Sequence, residues 1–106
     1  MTDRWNFNGE IDKIIKFRDE RDWKKFHYPK DLAAALSIEV AELQELFLWK
    51  SQEPSEQVIS DNDRMCEITE EIADIGIYLL LTHELNIDLK DAIRRKIEKN
   101  ALKYPV

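Results

Sequence analysis

The chain has 106 residues and a formal net charge of −6, and its length predicts one domain around a single core. The chain contains only two glycines and three prolines, and 43% of its residues are hydrophobic. This composition favours an all-helical fold. The acidic balance disfavours nucleic acid as a partner, and no apolar run approaches the roughly 20 residues that span a membrane. With a single cysteine and no apolar leader after Met1, we expect a cytoplasmic protein.

The first half of the chain predicts two helices separated by an aromatic stretch. Apolar residues recur at helical spacing over about residues 7–22, and the pattern stops before the aromatic and basic residues at positions 23–29. A second helix is predicted over about residues 31–50, with Asp31 as its N-cap and a broad apolar stripe along one side. Glu39 lies in the middle of that stripe, where an ionised side chain is not expected without a partner.

The second half of the chain predicts two more helices. Residues 51–60 are typical of a loop that has room for a short turn. The third helix is expected to begin at position 60 or 61 and to extend to about residue 85. The fourth helix is expected to have Asp88 as its N-cap and to stop before Pro105.

The third predicted helix is apolar on most of its surface. Between residues 72 and 82 its only charged side chain is Asp74, and Ala73, Ile77 and Leu81 add apolar groups away from the main stripe. A lone bundle of this length cannot easily cover such a helix, whereas association of identical subunits can. We therefore predict a homodimer or a homotetramer, with the helix faces opposite the acidic residues forming the interface.

Two carboxylate pairs, Glu39-x-x-Glu42 and Glu71-x-x-Asp74, give the strongest indication of function. Residues three apart share one face of a helix, so the four acids would converge if the two helices packed together. Their repulsion would be relieved by raised pKa values or by bound cations, and all-oxygen ligand sets suit hard cations such as Mg²⁺, Mn²⁺ or Ca²⁺. One acidic pair alone is usually a solvated face, but the central position of Glu39 favours a metal site.

The motifs that are missing narrow the metal chemistry. Neither His27 nor His83 has a glutamate three residues before it, so the Glu-x-x-His pattern of di-iron bundles is absent and an iron oxidase is disfavoured. The sequence also lacks zinc-ligand spacing, a phosphate-binding glycine loop and an EF-hand loop. Mg²⁺ held by carboxylates keeps positions open to water and substrate phosphates, which makes phosphate-ester or phosphoanhydride hydrolysis the natural hypothesis.

The order of the motifs along the chain is similar to that of a known family. The matching residues are Glu39-x-x-Glu42, Glu71-x-x-Asp74 with Tyr78 after it, and longer stretches within residues 21–29, 39–49 and 96–105. The acidic motifs resemble the all-α nucleoside triphosphate pyrophosphohydrolases of the MazG-like superfamily, and the longer stretches are similar to its small dCTP pyrophosphatase branch. The resemblance implies a single MazG-like helical domain over residues 1–106, built as a four-helix bundle-like subunit of an oligomer.

The resemblance also implies a metal site and an activity. Mg²⁺, with Mn²⁺ as the alternative, would be bound by Glu39, Glu42, Glu71 and Asp74. Glu39 or Glu42 would orient or deprotonate the attacking water. The substrate would be a (d)NTP, namely dCTP or another deoxynucleotide, cleaved to (d)NMP and pyrophosphate in nucleotide-pool sanitation.

Substrate contacts are implied by the same resemblance. The nucleotide pocket would use Trp23, His27, Trp49 and Tyr78. The phosphates would be held by a C-terminal segment that contains Lys96, Asn100, Lys103 and Tyr104. Ala101 departs from the family, in which arginine is common at this position, so phosphate contacts from this segment are expected to be fewer or to come from Lys50 or Lys103. For the tryptophans, packing in a core or an interface is an equally weighted alternative.

A function of a different class also fits the sequence. The chain could be a non-catalytic helical regulatory or interaction module whose acids form salt bridges at an oligomer interface. That alternative predicts no release of pyrophosphate from any deoxynucleotide, with or without Mg²⁺.

Overall fold

The computed structural model describes residues 6–106, which form helices and connecting turns and contain no β-strand. The five α-helices are α1 (Asn8–Glu20), α2 (Pro29–Glu45), α3 (Ser55–Ile59), α4 (Asn62–Leu80) and α5 (Leu89–Lys103). Two short 3-10 segments, Lys24–Phe26 and Leu81–Leu85, precede α2 and follow α4. The all-α prediction is confirmed. The four predicted helices correspond to α1, α2, α4 and α5, and α3 lies where a short turn was expected.

Aspartates cap the N-termini of α4 and α5, and the cap of α5 is the one that the sequence predicts. Asp61 accepts a hydrogen bond from the Arg64 backbone N–H at 3.2 Å, and Asp88 caps α5 in the same way. The prediction of Asp31 as the N-cap of α2 is wrong, because the helix begins at Pro29. Proline suits the first helical position, since its φ is already helical and it has no N–H to leave unpaired. Asp31 therefore lies in the first turn, where its negative charge interacts favourably with the positive end of the helix dipole.

The core of the subunit is formed where α2 packs against α4. Leu32 and Ile68 are buried there, and Leu81 is buried in the 3-10 segment that continues α4. Helix α1 packs on that segment. Arg18 of α1 is only 4% exposed and pairs with Glu84 at 3.1 Å. This ion pair connects α1 to the 3-10 segment that follows α4. The packing of α2 on α4 is the contact that positions the acidic residues.

The described subunit is unusually open. Its radius of gyration is 16.7 Å, whereas a compact chain of this length has about 13 Å. Its accessible surface is 9190 Å², against about 6,200 Å² for a compact monomer of 12.6 kDa. Helix α5 makes only sparse contacts with the other described elements. The exposed aliphatic side chains on α2, α4 and α5 are Ile38, Val40, Ile72, Ile77, Ile93, Ile97 and Leu102.

Among the described residues, none of the helices combines the length and the apolar composition that a membrane crossing requires.

Candidate metal centre

Helices α2 and α4 bring three carboxylates together. One carboxylate oxygen from each of Glu39, Glu42 and Glu71 lies within 4.8 Å of the other two. The spacing of three residues puts Glu39 and Glu42 on one face of α2, and the packing of α2 on α4 turns that face towards Glu71. Three of the four acids therefore lie close together.

Asp74 lies at the edge of this group. It follows Glu71 by three residues on the same face of α4, but its side chain is exposed and it is not one of the three closest acids. Its negative charge still acts on the group, because it contributes to raising the pKa of both Glu39 and Glu71. Asp74 thus lies at the solvent side of the cluster.

Two oxygens of the cluster are buried without a hydrogen-bond partner. They are Oε2 of Glu39 and Oε2 of Glu71. A buried carboxylate oxygen with no donor is unfavourable, and a cation relieves both the missing bond and the repulsion between the acids. Oxygens that bind one Mg²⁺ at 2.0–2.1 Å are at most about 4.2 Å apart, so small side-chain rotations would bring these acids to that distance. The residues therefore fit a hard divalent cation.

The same crowding changes the proton affinity of the cluster. Burial raises the pKa of Glu39 to about 7, and a hydrogen bond with Glu42 together with the negative charges of Glu42, Asp74 and Glu71 adds to the rise. The pKa of Glu71 is also raised, first by burial and then by the charge of Glu42. Without a cation, the cluster therefore holds a proton near neutral pH.

The raised pKa of Glu39 predicts a pH-dependent stability in the absence of divalent cations. The carboxyl titrates near 4.5 in the unfolded chain and near 7 in the folded one, so the folded state binds more protons between these values. The contribution of Glu39 to the free energy of unfolding is thus most favourable below pH 4.5 and is lost as the pH rises through 7. Urea unfolding in EDTA should show the wild type losing stability relative to Glu39→Gln over this window. A difference that does not change with pH would contradict the assignment.

The aromatic residues predicted for the nucleotide lie in the connections on either side of α2. Trp23 follows α1 and meets Phe17 edge to face, with ring centroids 5.7 Å apart. His27 precedes α2, and its Nδ1 is buried without a partner while burial and the charge of Arg18 lower its pKa. Trp49 lies beyond the C-terminal end of α2, which ends at Glu45, five residues earlier than predicted. Tyr78 lies on α4 one turn after Asp74 and is half-buried.

The residues predicted to hold phosphate lie together on α5. Lys96, Asn100 and Lys103 fall on one face of this helix, and Tyr104 follows it. The Asn100 carbonyl accepts a hydrogen bond from the Tyr104 N–H at 2.8 Å, which closes the helix. The Lys103 ammonium lies 5.4 Å from the centre of the Tyr104 ring. Because α5 packs little against the described α2 and α4, this segment is not fixed against the acidic cluster within one subunit.

Sequence reasoning missed an ion pair close to Trp49. Arg64, in the first turn of α4, forms two hydrogen bonds with Glu53 in the connection between α2 and α4. The two residues are eleven positions apart and only one of them is in a long helix, so no periodicity links them. Glu53 precedes Pro54 in a polar loop, and nothing in that sequence predicts that Glu53 pairs with an arginine that is shielded from solvent.

The chain is an all-α protein in which carboxylates on two packed helices face each other. This architecture defines a class of helical proteins whose sites are built from acids on packed helices. The chain belongs to the MazG-like family, because residues 34–106 match the sequence model of that family. This match confirms the resemblance to MazG-like proteins that the acidic motifs carry.

Individual relatives agree with the family match. The chain is 44% identical over 93 residues to dCTP pyrophosphatase 1 of Bos taurus and 42% identical over 92 residues to that of Homo sapiens. These alignments cover 86% and 85% of the chain, but the chain spans only about half, 54%, of the length of these curated relatives. A crystal structure of a pyrophosphatase from Archaeoglobus fulgidus superposes with a TM-score of 0.82 at 42% identity, covering 100% of this chain and 99% of that one.

Proposed function

We propose that the protein is a metal-dependent pyrophosphohydrolase that converts a (d)NTP to the (d)NMP and pyrophosphate. The observation that carries the proposal is the meeting of Glu39, Glu42 and Glu71 within 4.8 Å, with two buried oxygens left without a donor. The names of the relatives support it, since they are pyrophosphatases, and several are dCTP pyrophosphatases. We propose dCTP or another deoxynucleotide as the substrate, and removal of unwanted nucleotides from the cytoplasmic pool as the role.

The proposed metal ligands are the four acids of the two pairs. Mg²⁺ is the first choice and Mn²⁺ the alternative, and Glu39, Glu42, Glu71 and Asp74 would hold the ion. A divalent cation bound by these residues would supply charge neutralisation for the triphosphate and would activate water for hydrolysis. Glu39 or Glu42 would take up the proton of the attacking water.

The proposed substrate contacts divide between two ends of the nucleotide. Trp23 and Trp49 would stack on the base, with His27 and Tyr78 near it. Lys96, Asn100, Lys103 and Tyr104 would contact the phosphates. Such contacts need an exposed aromatic ring and hydrogen-bond donors, and exposed tryptophans and a helix face with two ammonium groups and one amide provide them.

We propose that the native protein is a homodimer or a homotetramer of a single domain formed by residues 1–106. Its surface exceeds that of a compact monomer by about 3,000 Å², an amount comparable with the area that obligate interfaces bury. The exposed aliphatic side chains of α2, α4 and α5 are suited to such an interface. Light scattering coupled to size exclusion should give two or four times 12.6 kDa. A mass of one chain at micromolar concentration would contradict this part of the proposal.

A panel of nucleotides tests the activity. Each of the four dNTPs and four NTPs is incubated with the protein in Mg²⁺, in Mn²⁺ and in EDTA, and pyrophosphate and monophosphate are quantified. We expect equal amounts of the two products from at least one deoxynucleotide, and none in EDTA. Release of inorganic phosphate instead of pyrophosphate, or no turnover of any nucleotide, would favour the non-catalytic module.

A further inference from the structure

Trp49 is held in an unusual position on the surface of the subunit. Its side chain is 99% exposed, and its backbone has a positive φ of 64°. A bulky residue rarely adopts this left-handed conformation, and it persists only where the surrounding structure holds it. The turn around Trp49 must therefore be fixed by contacts outside the tryptophan itself.

The side chain of Arg64 supplies these contacts on both sides of the turn. Two residues before Trp49, the ring of Phe47 lies with its centroid 5.5 Å from the Arg64 guanidinium. Four residues after Trp49, the Glu53 carboxylate accepts bonds from Arg64 Nη1 at 2.8 Å and Nη2 at 3.1 Å. One side chain thus contacts both flanks of the Trp49 turn.

The ion pair is of the kind that fixes geometry. The Arg64 and Glu53 side chains are 18% and 10% exposed, so solvent screens their attraction much less than it screens a surface pair. The two parallel bonds of a guanidinium fork also define the orientation of the carboxylate. The hydrogen bond from Arg64 lowers the pKa of Glu53, which keeps the pair charged at neutral pH.

Arg64 also connects the turn to the acidic cluster. It lies in the first turn of α4, and Glu71 follows seven residues later on the same face of that helix. The backbone of Arg64 is itself fixed, since its N–H donates to the Asp61 cap. A rigid helix therefore links the anchor of the Trp49 turn to two of the four acids, Glu71 and Asp74.

We infer that Arg64 is a positioning residue, which acts through Phe47 and Glu53 to fix Trp49 at a set distance from the carboxylate cluster. The inference rests on the proposed function, in which Trp49 contacts the base of the nucleotide. A side chain that is already held in its binding position loses less conformational entropy when the substrate binds. Freeing Trp49 should therefore weaken substrate binding more than it slows the chemical step.

A double-mutant cycle tests whether Arg64 acts through Trp49. Trp49→Ala should raise KM by about 5- to 150-fold, the range for removing an aromatic that stacks on a base, with kcat little changed. Arg64→Met should raise KM in the same direction. In the Trp49→Ala background, however, Arg64→Met should change KM by less than about twofold, because the residue it positions is gone. An equal KM ratio in the two backgrounds would overturn the inference, and so would an unchanged KM in Arg64→Met alone.

Matched variants separate positioning from general stability. Arg64→Lys keeps the charge but loses the fork, so its KM should lie between those of the wild type and Arg64→Met. Glu53→Gln keeps the size of the side chain that pairs with Arg64 but removes its charge. If Arg64→Met fails to fold, Glu53→Gln replaces it in the double-mutant cycle with Trp49→Ala. Lys16→Met removes the exposed pair with Glu20 at 3.7 Å and should leave KM unchanged. Helix content by circular dichroism should match the wild type in every variant used.

A fluorescence measurement keeps the inference testable without catalysis. In a Trp5→Phe/Trp23→Phe background Trp49 is the sole tryptophan and can be excited selectively over tyrosine. Arg64→Met should lower its anisotropy by freeing the turn. If the wild type turns over no nucleotide while this anisotropy falls, the proposed function fails and the link between Arg64 and Trp49 stands. A different result would reject the inference and leave the function standing. In that case the wild type turns over nucleotide, Arg64→Met leaves the anisotropy unchanged, and the KM effects of the two substitutions multiply.

Discussion

Glu42→Gln and Glu71→Gln should each lower nucleotide turnover by more than about 100-fold. Loss of a group that merely supports a metal ligand typically costs 10- to 100-fold, and these residues would themselves be ligands. The fold should stay intact or become more stable without metal, because each substitution removes one negative charge from a crowded cluster. The measurement is kcat for the best deoxynucleotide at saturating Mg²⁺, together with thermal unfolding in EDTA.

Glu70→Gln is the matched control for these variants. Glu70 adjoins Glu71 on α4 but points to another face of the helix and is exposed. It carries the same change of charge and should keep kcat within about twofold of the wild type, since exposed substitutions usually have small effects. Wild-type turnover in both Glu42→Gln and Glu71→Gln would remove these residues from the mechanism.

Mg²⁺ or Mn²⁺ should stabilise the folded protein strongly. A ligand present at 100 times its Kd that binds only the folded state adds about 2.7 kcal/mol to the free energy of unfolding. For a domain of this size each kcal/mol shifts Tm by about 4–8 °C, so a rise of roughly 10 °C or more is expected. The physical reason is that the ion would satisfy the orphan oxygens of Glu39 and Glu71 and remove the repulsion around them.

Thermal unfolding with increasing metal, against an EDTA reference, measures this effect. Glu39→Gln should begin with a higher Tm in EDTA and gain little on addition of metal, so the two melting curves should approach each other. The Glu70→Gln control should gain as much as the wild type. An equal Tm for the wild type in EDTA and in saturating Mg²⁺ and Mn²⁺ would contradict a metal centre at this cluster.

The parts of the fold that were predictable are those with a local cause. The apolar period of 3.6 residues predicted four helices, and a short polar residue before such a run identified Asp88 as the cap of α5. The same rule failed at Asp31, because the fixed φ of Pro29 had already started the helix. The facing of Glu39, Glu42 and Glu71 was also predictable, since two i, i+3 pairs on packed helices have few other arrangements.

The parts that were not predictable depend on contacts between distant residues. The bond of Glu53 to Arg64 spans a loop whose path no periodicity specifies, and the burial of Arg18 depends on where the segment after α4 places Glu84. The exposure of Trp49 is a further case, because an aromatic residue after an amphipathic helix normally continues its apolar stripe. The early end of α2 at Glu45 turned it outward instead.

The openness of the subunit has a consequence for how the protein responds to dilution. Only three apolar side chains, those of Leu32, Ile68 and Leu81, are buried among the described residues, too few to stabilise a chain of this length alone. In the proposed homodimer or homotetramer, self-association and folding should form one coupled equilibrium, in which the melting temperature rises with protein concentration. For a dimer, each tenfold dilution would cost the assembly about 1.4 kcal/mol.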